Sequence, residues 1–92
     1  MSIQLLHYFN GNYVPKDDIK LSIDDVGILR GYAVFEFMQA QEQVPVFVED
    51  HLGRLKNSAA AMNMGLPYDD DGFKEIIQRL LANNKMPKSG IK

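Results

Sequence analysis

The feature that most constrains the fold of this 92-residue chain is a change of hydrophobic period half-way along it. Residues 33–40, AVFEFMQA, place alternate side chains on the two faces of an extended strand. Beyond residue 50, apolar side chains recur at the spacing of two amphipathic helices, first Leu52, Leu55, Ala59 and Met62 and then Phe73, Ile76, Ile77, Leu80 and Leu81. Strands followed by helices predict an α+β fold, in which two helices pack on one side of an antiparallel sheet of hairpins.

An Asn-Gly pair at positions 10 and 11 predicts the first hairpin. The pair separates the β-prone runs 5–9 and 13–14, and both residues tolerate the positive φ that a two-residue turn requires. Isolated apolar side chains then alternate through 19–23, which predicts a short edge strand before a turn at 24–27.

The second hairpin is predicted to follow residue 40. The polar tripeptide 41–43, QEQ, forms its turn. Valines alternate through 44–48, so this run is predicted to be the returning strand. Pro45 lies within that run and cannot donate to a ladder, so it suits an edge strand or a strand start.

Both helices carry signals at their ends. Glu49 and Asp50 suit the positive N-terminus of the first helix, and Gly65 is predicted to stop it. The second helix is predicted to begin in the acidic run 69–71 and to close at 84–87, NKMP. Residues 88–92 are typical of the approach to a further strand, which we expect the end of the chain to cut off.

The composition disfavours several classes of function. The formal net charge is −2, from 10 Lys plus Arg and 12 Asp plus Glu, and no basic stripe with interleaved aromatics occurs, so nucleic-acid binding is disfavoured. The absence of cysteine excludes disulfides and thiolate metal sites, and the two histidines lack zinc-ligand spacing. The apolar runs are shorter than the ~20 residues of a membrane helix, and the start shows no secretory signal. We expect a cytoplasmic protein.

Arg54 is the first candidate for a binding residue. It lies beside the apolar stripe of the first helix, three residues after His51 and four before Ser58, from where it can reach into a cleft. Its planar guanidinium can bind a phosphate through two parallel charge-assisted hydrogen bonds. The alternative is a solvated arginine paired with Asp50 or Glu49 one turn earlier.

Phe35 and Phe37 share one face of the predicted strand 33–40. Aromatic residues that alternate on a strand usually pack against helices, so a core role is one interpretation of this pair. Glu36 points to the opposite face, where a buried carboxylate needs a partner. Arg30 or a backbone donor is the candidate for that partner.

Two motifs give the chain a resemblance to a known family. Residues 30–36 read RGYAVFE, and residues 49–55 read EDHLGRL. In this order, and after the opening YFNGNYVP, they resemble the N-terminal small domain of fold-type IV (class IV) pyridoxal-phosphate-dependent aminotransferases and aminodeoxychorismate lyases. The usual forms are close to RGDGVFE and E(D/E)HLxRL. The chain departs from the first at Tyr32 and Ala33, and Gly53 replaces the Glu or Asp that is usual at the variable position of the second.

The resemblance implies a role for each candidate residue. Arg54 takes the position of the arginine that contacts the cofactor phosphate, and Phe35 and Phe37 take positions that line the substrate side of the cofactor pocket. His51 is expected to hold the start of the helix through a hydrogen bond. The lysine that binds pyridoxal 5'-phosphate belongs to the family's second domain. Residues 1–92 are therefore expected to be a truncated small domain, without the large cofactor-binding domain and with no catalytic residue.

The predicted function is thus that of the N-terminal domain of a class IV aminotransferase or lyase, which is implied to be a homodimer with an amino-acid or related amine substrate. Branched-chain, D-amino acid and aryl-amine donors, or a lyase reaction, all stay open. The alternative is a non-catalytic interaction or dimerisation module, which a natural product of 92 residues would favour.

Overall fold

The structure is a computed structural model and describes residues 4–92. Two antiparallel sheets and two long helices form the fold, which confirms the α+β class. In chain order the elements are β1 (Leu6–Phe9), β2 (Asn12–Pro15), a 3-10 turn (Lys16–Asp18), α1 (Val26–Leu29), β3 (Met38–Gln41), β4 (Val44–Pro45), α2 (Val48–Ala61), α3 (Asp70–Asn84) and β5 (Lys88–Ile91). The two hairpins do not join into one sheet, since β1–β2 pair alone and β4–β3–β5 form the second sheet.

The first hairpin has the predicted turn. Strands β1 and β2 pair antiparallel, from Leu6 opposite Pro15 to Phe9 opposite Asn12. Asn10 and Gly11 connect them with φ of 50° and 89°. Positive φ at both central residues matches the twist of the flanking strands, which is why Asn-Gly favours this connection.

The second hairpin is shorter than predicted. Its turn residues Glu42 and Gln43 have φ of 50° and 65°. Strand β4 contains only two residues, Val44 and Pro45, and it lies at the edge of its sheet, as was expected for Pro45. The prediction that the strand continues through residue 48 is wrong. Phe47 adopts φ 56°, ψ 41°, a left-handed conformation that turns the chain, and Val48 begins α2.

The predicted strand 33–40 forms a ladder only in β3. Strand β5 pairs with it antiparallel from Met38 opposite Ile91 to Gln41 opposite Lys88, so residues 33–37 of the predicted strand have no ladder partner in residues 4–92. Side-chain exposure nevertheless alternates from residue 34 to residue 41, with the even-numbered side chains turned inward. The predicted period is therefore present, while the hydrogen-bonded strand is shorter.

The edge strand predicted at 19–23 is not formed. After the 3-10 turn the chain has no ladder partner there, and Leu21 and Ile23 are 59% and 82% exposed. The backbone instead turns at Ser22–Asp25 into α1, where the Asp25 carboxylate accepts a hydrogen bond from the Gly27 N–H at 2.8 Å. A local N-cap satisfies the backbone where a strand would need a neighbour.

Helix α2 begins as predicted, with Glu49 and Asp50 in its first turn, but Gly65 is not its stop. The helix ends at Ala61 because Asn63 adopts φ 56° and the Met64 N–H donates to the Ala59 carbonyl at 2.8 Å. Asparagine is the residue besides glycine that most readily takes this left-handed C-terminal position.

Helix α3 has the predicted ends. Asp69 caps it by accepting a hydrogen bond from the Gly72 N–H at 2.8 Å, and Lys85 ends it with φ 49°. No helix in residues 4–92 is both long enough and apolar enough to span a membrane.

Helix α3 links the two sheets. Its residues Ile77 and Leu81 pack on Met38 and Ala40 of β3, and these four side chains form the buried core cluster. At the end of α3, Asn84 makes two hydrogen bonds of 2.9 Å with the backbone of Leu6, one to its N–H and one to its carbonyl. The first hairpin is thereby held against the helix that also covers β3.

Candidate functional site

Arg54 and Glu36 form a two-bond pair between α2 and the segment that leads into β3. Arg54 Nε donates to Glu36 Oε2 at 3.1 Å, and Arg54 Nη2 donates to Glu36 Oε1 at 3.0 Å. The Arg54 side chain is 67% exposed, whereas that of Glu36 is 13% exposed. The arginine side chain therefore projects from α2 into solvent, whereas the carboxylate that it binds is largely buried.

The remaining guanidinium donors point away from this pair. An arginine has five N–H donors, of which Glu36 accepts two, and no residue in 4–92 accepts a hydrogen bond from Nη1. The alternative that pairs Arg54 with Asp50 or Glu49 is wrong in its choice of partner, since the pair is formed with Glu36. The end of the guanidinium remains open to an anion.

His51 also binds Glu36. Its Nδ1 lies 2.9 Å from Glu36 Oε1, and its side chain is 18% exposed. His51 and Arg54 lie one turn apart on α2, so one face of the helix presents both groups to the carboxylate. The hydrogen bond expected of His51 is present, and it ties the first turn of α2 to Glu36 in the segment before β3. Of the two partners expected for Glu36, the pair with Arg30 is not formed, whereas a backbone hydrogen bond from Phe37 is among the contacts that lower the Glu36 pKa.

The pKa of Glu36 is held below its ordinary value of 4.5. The hydrogen bond from His51 is the largest cause, and the hydrogen bond and charge of Arg54 act in the same direction, while burial opposes them. Glu36 is therefore ionised at neutral pH with both oxygens engaged. A general-base role does not fit a carboxylate in this state.

The lowered pKa of Glu36 predicts a specific acid sensitivity. A carboxylate whose folded-state pKa lies below its unfolded value contributes stability above the unfolded pKa, and this stability is lost as pH falls through the folded value. We expect the loss of unfolding free energy between about pH 5 and pH 3 to be smaller in Glu36→Gln than in the wild type. Urea denaturation across that range measures it.

Glu75→Gln, which removes an exposed glutamate of α3, is the matched control for the acid-sensitivity experiment. It should retain the pH dependence of the wild type. An identical pH dependence in the wild type and in Glu36→Gln would show that the Glu36 contacts do not form in solution.

Phe35 and Phe37 are not core residues, since their exposures are 77% and 51%. Phe35 lines a mainly apolar cavity of about 600 Å³ among β1, α2, α3 and β5. Phe37 lines a second cavity of about 440 Å³ beside β5, and a Cβ at Gly90 would stand 2.7 Å from its Cε2. The two aromatic side chains thus lie at different cavities, and the Phe37 ring rests against the bare backbone of Gly90.

Sequence reasoning missed two residues near these cavities. Gly90 makes room for Phe37, and Ser89 lines both cavities with a buried Oγ that accepts or donates no hydrogen bond within residues 4–92. Neither carries a local signal, because a Ser-Gly pair near a predicted strand reveals neither the close approach of an aromatic ring nor the burial of a hydroxyl group. Residues 4–92 also hold no group of three or more His, Cys, Asp or Glu side chains placed to bind a metal ion.

The fold and the Arg54 site define an α+β domain in which an exposed guanidinium is held by Glu36, a residue that also lines the first, mainly apolar cavity. The sequence model of the amino-transferase class IV family matches residues 33–92, the part of the chain that carries most of both motifs. The chain therefore belongs to the class IV amino-transferase family.

Curated relatives support this membership. The D-alanine aminotransferase of Staphylococcus epidermidis is 30% identical over 84 residues, which are 91% of this chain and 30% of that protein. The D-alanine aminotransferase of Listeria monocytogenes is 27% identical over 77 residues, which are 84% of this chain and 27% of that protein. The chain thus spans about 30% of the length of the relatives it matches.

Solved structures share the fold. The T.th. branched-chain amino acid aminotransferase complexed with N-(5'-phosphopyridoxyl)-L-glutamate superposes with a TM-score of 0.85 at 26% identity, over 95% of this chain and 30% of that one. The same enzyme with pyridoxamine 5'-phosphate gives 0.85 at 26% identity, over 98% of this chain and 31% of that one. The predicted fold and family are both confirmed.

Proposed function

We propose that these residues are the N-terminal small domain of a pyridoxal-phosphate-dependent aminotransferase, in which Arg54 binds the phosphate of the cofactor. The observation that carries the proposal is the geometry of Arg54: two donors are held by Glu36 and the outer end of the guanidinium is open. Phosphate is an anion whose oxygens match that end, so the donor set fits the group. A structural neighbour that contains pyridoxamine 5'-phosphate supports the choice of cofactor.

The proposed division of labour assigns binding and orientation to this chain. Pyridoxal 5'-phosphate, when bound, supplies an electron sink for the chemistry at the substrate carbon. Arg54 neutralises and orients the phosphate, whereas Phe35 and Phe37 contribute apolar surface on the substrate side. We propose that the lysine that binds the cofactor, and the large domain that carries it, belong to the remaining two thirds of the protein that the relatives' lengths imply.

Amino transfer is favoured over a lyase reaction because the relatives and neighbours are aminotransferases by name, acting on D-alanine or on branched-chain amino acids. We propose a D- or branched-chain amino acid as the donor. The family resemblance extends the proposal to a homodimeric, cytoplasmic enzyme.

A non-catalytic interaction module is the second candidate function. The observation in its favour is a run of exposed apolar side chains on and before α1, with Ile23, Ile28 and Leu29 exposed by 82%, 55% and 58%. Exposed apolar side chains concentrated in one segment are typical of a surface that contacts another protein or domain.

The two candidates are separated by one experiment on the protein at its full length. The purified protein is examined for an absorbance band of bound cofactor and for transfer of the amino group from D-alanine or L-leucine to a 2-oxo acid. Cofactor binding together with transfer supports the aminotransferase. A protein that binds no cofactor and transfers no amino group would contradict the aminotransferase and favour the interaction module.

The position of Phe37 predicts an effect on substrate choice. Its ring is exposed by 51%, and if it lines the substrate side as we propose, Phe37→Val should shift the ratio of kcat/KM toward bulkier donors by about 1 to 3 kcal/mol. The measurement is kcat/KM for a series of donors, with the melting temperature recorded in parallel. Val44→Ala, which trims an exposed side chain of β4, is the control. A lowered melting temperature with unchanged donor preference would contradict the assignment.

A further inference from the structure

Glu36 holds Arg54 by one particular edge. The Nε–H and one N–H of Nη2 point along the same side of the guanidinium, and these are the two donors that Glu36 accepts. The opposite N–H of Nη2 and those of Nη1 form the end of the plane, which is a second two-donor fork. Glu36 therefore occupies the side of Arg54 and leaves its end available.

We propose that Glu36, braced by His51, is a positioning residue that aims the end of Arg54 at the cofactor phosphate. This inference rests on the proposed function, because it names how the same site is arranged. Glu36 does not contact the anion in this arrangement. It acts through Arg54, whose guanidinium it fixes in place before the anion arrives.

The burial of the three side chains favours positioning. Glu36 is 13% exposed and His51 is 18% exposed, whereas Arg54 is 67% exposed. An exposed arginine has many rotamers and loses their entropy when it binds a ligand. Contacts to a nearly buried carboxylate, which itself is held by a second side chain, remove much of that entropy in advance.

A competing arrangement makes the opposite prediction. If Glu36 merely occupied Arg54 in place of an anion, phosphate would have to displace it, and removal of the carboxylate would tighten phosphate binding. Simple electrostatics gives the same sign, since Glu36 is a negative charge close to the anion. If Glu36 positions Arg54, loss of the carboxylate weakens phosphate binding despite the removal of that charge. Whether Glu36→Gln weakens or tightens phosphate binding therefore distinguishes the two arrangements.

The experiment titrates the cofactor-free, full-length protein with inorganic phosphate at about pH 7.5 by isothermal calorimetry, where Glu36 is ionised. Glu36→Gln preserves the shape of the side chain but replaces one acceptor oxygen by a donor, so it breaks the two-bond pair. We expect it to weaken phosphate binding about fivefold to tenfold, the scale of one charge-assisted hydrogen bond. Glu75→Gln, which removes an equal charge from an exposed site on α3, should leave the dissociation constant unchanged. Tighter binding by Glu36→Gln would overturn the inference.

The same titration in an Arg54→Gln background separates the inference from the proposed function. Arg54→Gln alone should weaken phosphate binding, and unchanged binding would refute the proposed function itself. If Glu36 acts through Arg54, adding Glu36→Gln to that background should have no further effect. An equal loss in both backgrounds would show a general structural role and overturn positioning.

His51 provides a second test if Glu36→Gln folds poorly. Asparagine at position 51 retains an N–H donor near the position of Nδ1, whereas leucine retains none. We expect His51→Asn to bind phosphate almost as well as the wild type and His51→Leu to bind it less well, with melting temperatures that establish folding of both. Equal binding by the two variants would contradict the bracing role of His51.

Discussion

Replacement of Arg54 by alanine in the full-length protein is expected to weaken cofactor binding by about 2 to 3 kcal/mol, which is roughly 30- to 150-fold in the dissociation constant. The alanine variant loses the N–H donors at the end of the guanidinium that would bind the phosphate. It also leaves Glu36, which is only 13% exposed, without one of its two charged or polar side-chain partners. The dissociation constant of pyridoxal 5'-phosphate, measured by absorbance titration of the cofactor-free protein, tests this result.

Lysine at position 54 should recover only part of the affinity. It retains the positive charge, but it has no planar fork that can bind Glu36 with one edge and a phosphate with another. Arg79→Ala is the matched control, because Arg79 lies on α3 over the ring of Tyr13, at 5.3 Å from its centroid. An alanine variant of Arg54 with the dissociation constant of the wild type would show that Arg54 is a surface arginine without a cofactor role.

Leu81→Ala is expected to lower the free energy of unfolding by about 2 to 5 kcal/mol, the range for removal of a buried leucine side chain. Leu81 is 6% exposed and belongs to the cluster in which α3 covers β3. A domain of this size has a total stability of only about 5 to 15 kcal/mol, so the change removes a large fraction of it. Urea denaturation followed by circular dichroism measures the difference.

Leu21→Ala is the control for this stability measurement. The side chain of Leu21 is 59% exposed, so its truncation should change the unfolding free energy by no more than about 0.5 kcal/mol. If the two leucine variants lost equal stability, the packing of α3 on β3 would not be the core of the fold.

Local sequence signals were sufficient for the features that depend on neighbouring residues. The Asn10-Gly11 turn, the start of α3 in the acidic run 69–71 and the α+β order of elements were all predicted, and all are present. The turn and the helix start depend on the φ preference or hydrogen-bonding capacity of residues within one turn of each other, and the order of elements depends on the hydrophobic period of each segment. The two motifs also placed the chain in its family, since their order and spacing can be recognised in the sequence without any knowledge of tertiary contacts.

Features that depend on a distant partner were predicted less well. The strand through residue 40 was predicted to begin at Ala33, but its ladder begins at Met38 because β5 reaches no further. An edge strand at 19–23 was predicted from alternation alone, and no neighbouring strand within residues 4–92 pairs with it. Alternation of apolar and polar residues indicates which face of the chain each side chain occupies. A strand also needs a neighbouring strand that accepts and donates its backbone hydrogen bonds.

The site shows the same division. Its residues were named from the sequence, because an arginine beside an apolar helical stripe and a carboxylate on the inner face of a strand are both visible there. The partners were decided by tertiary structure: Glu36 binds Arg54 and His51, which follow it by 18 and 15 residues, and not Arg30. Only the packing of α2 against the segment before β3 brings these groups within hydrogen-bonding distance. The pattern of the sequence determined which groups are available, and the fold determined which of them meet, because a side-chain hydrogen bond depends on distance in space and not along the chain.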